Sequence, residues 1–191
     1  MTLETISLVV GTGYVLAHVP LAAAPGPARK ALAAFPRNGW AGRILCAIAL
    51  AWSAVLVKEM PLGWFDAHKD WLYVAGPVAY VLVVVFMDEL LAARALGGLF
   101  LLMAEPVLAA AREPFLSSVQ FHPAAARLVP VLLAYGWVGI GTALVLAPYW
   151  FRKSMERLCG TDRRCRLFGL AGVAIGLLLI VLALSSFAMG H

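Results

Sequence analysis

Six stretches of the chain are apolar almost without interruption: about Leu3–Ala24, Gly42–Val57, Trp71–Met87, Leu90–Ala111, Leu128–Pro148 and Leu167–Met189. A membrane-spanning helix needs ~20 mostly apolar residues. Strands of a membrane barrel alternate apolar and polar positions over ~10 residues instead. Uninterrupted runs therefore predict helices, although the second and third are short for a span. The expected fold is an all-α integral membrane protein, with six transmembrane helices in a single membrane domain over 1–191. The first run ends in small residues, Ala22–Ala24, that suit a signal-peptide cleavage site. Yet Glu4 is the only charge before His18, and basic residues follow the run instead of preceding it. The expectation is a retained helix.

Composition strengthens this reading. Hydrophobic residues make up 63% of the chain and charged residues 13%, and mean hydropathy is +0.89. A soluble domain is ~45–50% apolar and ~25% charged. A chain of 191 residues has too little interior to hide that excess, so lipid is the expected solvent. The net charge of +5 does not point to nucleic acid, because the basic residues flank apolar runs and form no basic face interleaved with aromatics. Anionic lipid headgroups are the expected partner.

The distribution of charge orients the chain. With six spans, the first, third and fifth connections share one side and carry Arg29, Lys30, Arg37, Arg43, Arg94, Arg152, Lys153, Arg157, Arg163, Arg164 and Arg166. The opposite side holds only Lys58, Lys69, Arg112 and Arg127. Basic residues stay cytoplasmic, so both termini are expected outside, which in a bacterial inner membrane means the periplasm. Trp40, Trp64, Trp71, Tyr149, Trp150 and Phe151 fall near span ends, where an interfacial aromatic belt belongs.

Two of the basic segments match. "APGPARKALAAFPRNGWAGRIL" from Ala24 and "APYWFRKSMERLCGTDRRCRLF" from Ala147 align without a gap, bringing Arg29–Lys30 onto Arg152–Lys153 and Arg43 onto Arg166. The expectation is three tandem helical hairpins, about 3–57, 71–111 and 128–189, the middle one keeping only Arg94 of the basic loop. Any hairpin under the positive-inside rule would show a proline and a basic pair, but the ungapped register favours duplication of the outer two. From Pro148, Trp150, Arg152, Lys153, Arg166 and Gly169, the last fifty or so residues resemble a family of short, two-helix bacterial inner-membrane proteins of unknown function. That resemblance implies a bacterial inner-membrane location and no activity.

Candidate chemistry is sparse. Glu105, in "LLMAEPVLAAAR", lies deep in the fourth span beside Pro106. Ionisable groups inside lipid are functional candidates by default. This carboxyl could relay protons, bind a cation or answer an arginine of a partner. It could equally be a protonated acid in a dry contact with a neighbouring helix of this chain or a partner. His18, beside Pro20 in the first span, could contact haem or quinone, but no two histidines share a helix at four-residue spacing. Asp88 and Glu89 suit a cap of the fourth helix or an ion pair with Arg94. Cys159 and Cys165 lack the further ligands of a zinc site, although flanking arginines could lower a thiol's pKa. Cys46 reads as a core residue. Gly172 and Gly176 form a G-x-x-x-G packing motif in the last span, and Gly136, Gly139 and Gly141 suggest the same in the fifth. The segment 112–127 mixes aromatics with proline and could lie along the interface.

No metal ligand set is visible, and the sequence indicates no cofactor. The expected function is a non-catalytic subunit or assembly factor of a larger membrane complex, meeting other membrane-protein subunits or its own copies. The alternative is a small-solute or proton-coupled transporter using Glu105. A membrane enzyme ranks behind both, for want of a catalytic constellation.

Overall fold

The computed structural model describes residues 2–87, 90–112 and 124–189. They form eight α-helices: α1 Leu3–Ala23, α2 Pro25–Ala34, α3 Gly39–Glu59, α4 Leu72–Phe86, α5 Leu91–Arg112, α6 Ala124–Leu146, α7 Tyr149–Cys159 and α8 Asp162–Met189. Two 3-10 segments, Phe35–Arg37 and Gly63–Trp71, join them, and there is no strand among the described residues. Six helical stretches are long and apolar enough to cross a membrane: Leu3–Ala23, Gly39–Glu59, Asp66–Phe86, Leu91–Arg112, Leu128–Leu146 and Asp162–Ser185. The chain is a multi-pass, all-α membrane protein.

The second and third spans, short by hydropathy, each reach 21 residues. Helical hydrogen bonding continues beyond the apolar runs, through Gly39–Ala41 at the start of α3, the charged Lys58–Glu59 at its end and the polar Asp66–Asp70 before α4. The two basic connections are not open loops, because each contains a short helix, α2 and α7 respectively. Asn38 ends the first connection and accepts the Ala41 N–H at 3.1 Å. Thr161 takes the matching place in the second and accepts the Arg164 N–H at 3.3 Å. Both side chains satisfy an amide that the first helical turn leaves orphaned. Pro20, Pro77, Pro106 and Pro130 all lie inside helices, as spanning helices tolerate.

The chain forms two compact units. One comprises Met1–Ala33, Met103–Gly139 and Lys153–His191. Within it α1 runs along α8, whose buried positions Cys165, Gly169, Gly172, Gly176, Leu179 and Ala183 repeat every three or four residues. Helices in lipid gain no hydrophobic drive from meeting each other, so close van der Waals fit must hold them. The glycines supply that fit. A Cβ on Gly176 would lie 2.7 Å from the Gly11 carbonyl oxygen, and one on Gly11 would lie 2.7 Å from that of Gly176. A Cβ on Gly169 would lie 2.5 Å from the Ala22 nitrogen.

The other unit comprises Ala34–Leu102 and Ile140–Arg152. Its core joins Cys46 of α3 to Leu91 and Ala95 of α5, with Tyr80, Val83 and Val84 of α4 packed alongside. Gly42 lets α3 approach Leu91 and Ala92, while Gly97 and Gly141 meet backbone to backbone between α5 and α6. Of the three α6 glycines expected to pack, Gly141 alone does so. A Cβ on Gly136 or Gly139 would meet nothing within 4 Å, because those positions lie on other sides of the helix. Phe151, expected as an interfacial anchor, is buried and sits 5.5 Å from the Phe35 ring. Trp40, Trp64, Trp71, Tyr149 and Trp150 are exposed, as the belt requires.

Candidate functional site

Glu105 sits on α5 about three turns after Arg94 and two turns before Arg112. At 1.5 Å per residue those intervals are about 16 Å and about 10 Å, beyond the reach of a glutamate side chain. The carboxyl is thus held at hydrocarbon depth. The adjacent Ala104 and Val107 are buried at 2% exposure each, and both point into their unit. Helical geometry turns Glu105 away from them, and the residue is exposed. No hydrogen bond or ion pair to it occurs among the described residues. Among the described residues, no polar group of a neighbouring helix supplies the contact expected for this carboxyl. A charged group at the centre of a span costs ~2.5–3.5 kcal/mol or more, so bare lipid is a poor environment for it. Pro106 does not break α5, which continues to Arg112.

His18 belongs to a row of aromatic rings. Its Nδ1 lies 2.9 Å from the Tyr14 carbonyl oxygen one turn earlier. A carbonyl only accepts, so Nδ1 donates in that bond. The imidazole stacks on Tyr14, with centroids 5.0 Å apart, and meets Phe168 of α8 at 5.5 Å. Gly172 makes the room, since a Cβ there would overlap the imidazole. The Tyr14 hydroxyl in turn accepts the Trp137 indole N–H at 3.1 Å. Trp137 is 2% exposed, and this bond satisfies its only polar atom. Beside it, Ile6, Ser7, Val107, Pro130 and Leu179 border a gap too narrow for water. This arrangement locks three helices together. The sequence offered no signal for the Tyr14–Trp137 pair beyond two aromatic residues at mid-span.

Asp88 and Glu89 lie outside the described residues, as does most of the 112–127 segment. The ion pair expected between Arg94 and Asp88 or Glu89 falls there too; among the described residues the Arg94 Nε is buried without a hydrogen-bond partner. Lys30, Arg43, Arg152, Lys153, Arg157, Arg163, Arg164 and Arg166 are all exposed. The Arg43 guanidinium lies 5.6 Å over the Trp40 ring. Arg29 differs, because it donates to the Gly160 carbonyl at 3.0 Å and pairs with Asp162 at 3.4 Å, tying α2 to the start of α8. A cavity of about 420 Å³ opens where Arg37, Arg152 and the first residues of α3 and α5 converge. Two arginines and two helix starts favour an anionic group there.

Cys159 and Cys165 are both buried. Burial, followed by a hydrogen bond with the Cys165 thiol, pushes Cys159 up to about 12. For Cys159 the expectation that flanking arginines lower a thiol's pKa is overturned, because the neighbouring arginines are exposed while its side chain is buried. Cys46 is a buried core residue, as expected. Among the described residues no group of three His, Cys, Asp or Glu could hold a metal ion. No protein-family model, curated protein or solved structure matches the chain.

Proposed function

We propose that this protein is a non-catalytic subunit or assembly factor of a larger membrane complex. One observation carries the reading: Glu105 lies at hydrocarbon depth on an outward side of α5, with no partner among the described residues. A carboxyl placed so is completed by something outside the chain. A transporter would turn the same carboxyl toward a polar path through its own interior. Here the interior beside α5 is lined by Val107, Leu179 and Trp137, and the carboxyl faces the other way.

The same reading places the chain in a bacterial inner membrane with both termini outside, supported by the eleven basic residues gathered on one side. Their exposed side chains suit anionic headgroups. It also takes hairpins 3–57 and 128–189 as duplicates. The like ends of α1 and α6 and the like caps Asn38 and Thr161 support this. The resemblance of the last fifty residues to two-helix inner-membrane proteins agrees with that location.

Proteoliposomes test the choice. The protein reconstituted alone should show no proton or cation flux above empty vesicles. Flux that disappears in a folded Glu105→Gln variant would establish the transporter instead.

A further inference from the structure

The chemistry of the group that completes Glu105 can be argued from its surroundings. On α5, Ala109 and Arg112 follow Glu105 at intervals of four and three residues, so all three share one side, and all three are exposed. Ala109 is small enough to let another helix approach closely one turn from the carboxyl.

A second copy of the chain is a poor occupant. Copies in one membrane share an orientation, so a two-fold interface through this face would bring Glu105 against its own equivalent. Two carboxylates at that depth repel unless they share a proton. Nor can another face of a second copy answer it. Each lysine and arginine in the described spans lies close to a span end: Arg43, Lys58, Lys69, Arg94, Arg112, Arg163, Arg164 and Arg166. His18 lies only about 8 Å from the opposite end of α1, too shallow to meet Glu105.

We infer that the Glu105–Ala109–Arg112 face of α5 docks a transmembrane helix of a different protein, and that this helix carries a lysine or arginine within its apolar span. That residue lies about 10 Å inside the level marked by Arg112, the depth of Glu105. The inference rests on the reading of this protein as a subunit. The two charges then stabilise each other in lipid that would exclude either alone, which makes the contact selective for a partner with its cation at one depth.

The test uses the full chain in its native membrane. A photoreactive benzoylphenylalanine replaces Ala109, and a second variant carries it at Val78, which is 51% exposed on α4. The expected result is a crosslink from position 109 to one other membrane protein, in a segment holding a basic residue among apolar ones. Glu105→Lys should reduce it at least tenfold, and changing the partner's basic residue to glutamate should restore it. Glu105→Gln, which keeps size and hydrogen bonding, should weaken the crosslink several-fold without changing thermal unfolding. This variant keeps the test decisive if Glu105→Lys does not fold. A crosslink to a second copy, to a segment without a basic residue, or one indifferent to Glu105→Lys and Glu105→Gln overturns the inference. Capture of another protein from position 78 alone overturns it while leaving the subunit reading standing. Capture of no protein from either position removes both.

Discussion

Replacing Gly176 with alanine should separate α1 from α8. The added Cβ would lie 2.7 Å from the Gly11 carbonyl oxygen and 3.0 Å from the Val15 nitrogen. Both are backbone atoms of a hydrogen-bonded helix, so neither can rotate aside as a side-chain end would. Restoring an ordinary contact near 3.4 Å requires a local shift of about 0.7 Å, and a gap of ~0.5–1 Å forfeits a quarter to a half of each affected contact's attraction. Overpacking of this kind costs ~1–3 kcal/mol. The larger Gly176→Ile should cost more. The assay is reversible unfolding of the purified protein in mixed micelles, titrated with a denaturing detergent. Gly136→Ala serves as the control, because a Cβ there meets nothing within 4 Å and alanine is the better helix former. An unchanged midpoint for Gly176→Ala, or equal shifts for the two substitutions, would refute the argument that the α1–α8 contact depends on glycine.

The Cys159 thiol, held up at about 12 against an ordinary 9.0, should react with a maleimide at pH 7.5 far more slowly than an exposed cysteine; rapid labelling of the folded protein would contradict the burial. The sign of its linkage follows: a raised folded value leaves stability intact below pH 9 and erodes it as pH climbs toward about 12. Unfolding midpoints measured at pH 7, 9 and 10.5 should fall slightly at pH 9 and clearly at 10.5, and this fall should vanish in Cys159→Ala. Topology reporters fused after Arg157 should signal cytoplasm, while fusions near His122 and His191 should signal the opposite side; the reverse pattern would overturn the orientation.

The six spans were legible because the bilayer imposes a length and a composition together, and runs such as Leu90–Ala111 satisfy both. Their ends were not, since helical hydrogen bonding continues past the expected runs, into Gly39–Ala41 and the charged Lys58–Glu59. α2 and α7 were not legible, because their basic, proline-flanked sequences read as loops. Gly172 and Gly176 announced their role through spacing. Gly136 and Gly139 shared that signal without the role, as spacing cannot say which side of a uniformly apolar helix meets a neighbour. The same uniformity hid the direction of Glu105. Its depth was readable from Arg94 and Arg112, whereas its outward side depended on where Ala104 and Val107 pack. The Tyr14–Trp137 bond joins residues far apart in the chain, and nothing local to either position encodes it.

The central claim is that the chain is completed by another protein, and a mass measured without removing the surrounding lipid tests it directly. Patches of native membrane holding the tagged chain should be excised with an amphipathic polymer and examined by native mass spectrometry. The account predicts a species heavier than the 20.4 kDa chain by a different polypeptide in fixed ratio, diminished in Glu105→Lys. A species containing only the chain, or whole multiples of it with lipid, would contradict the account.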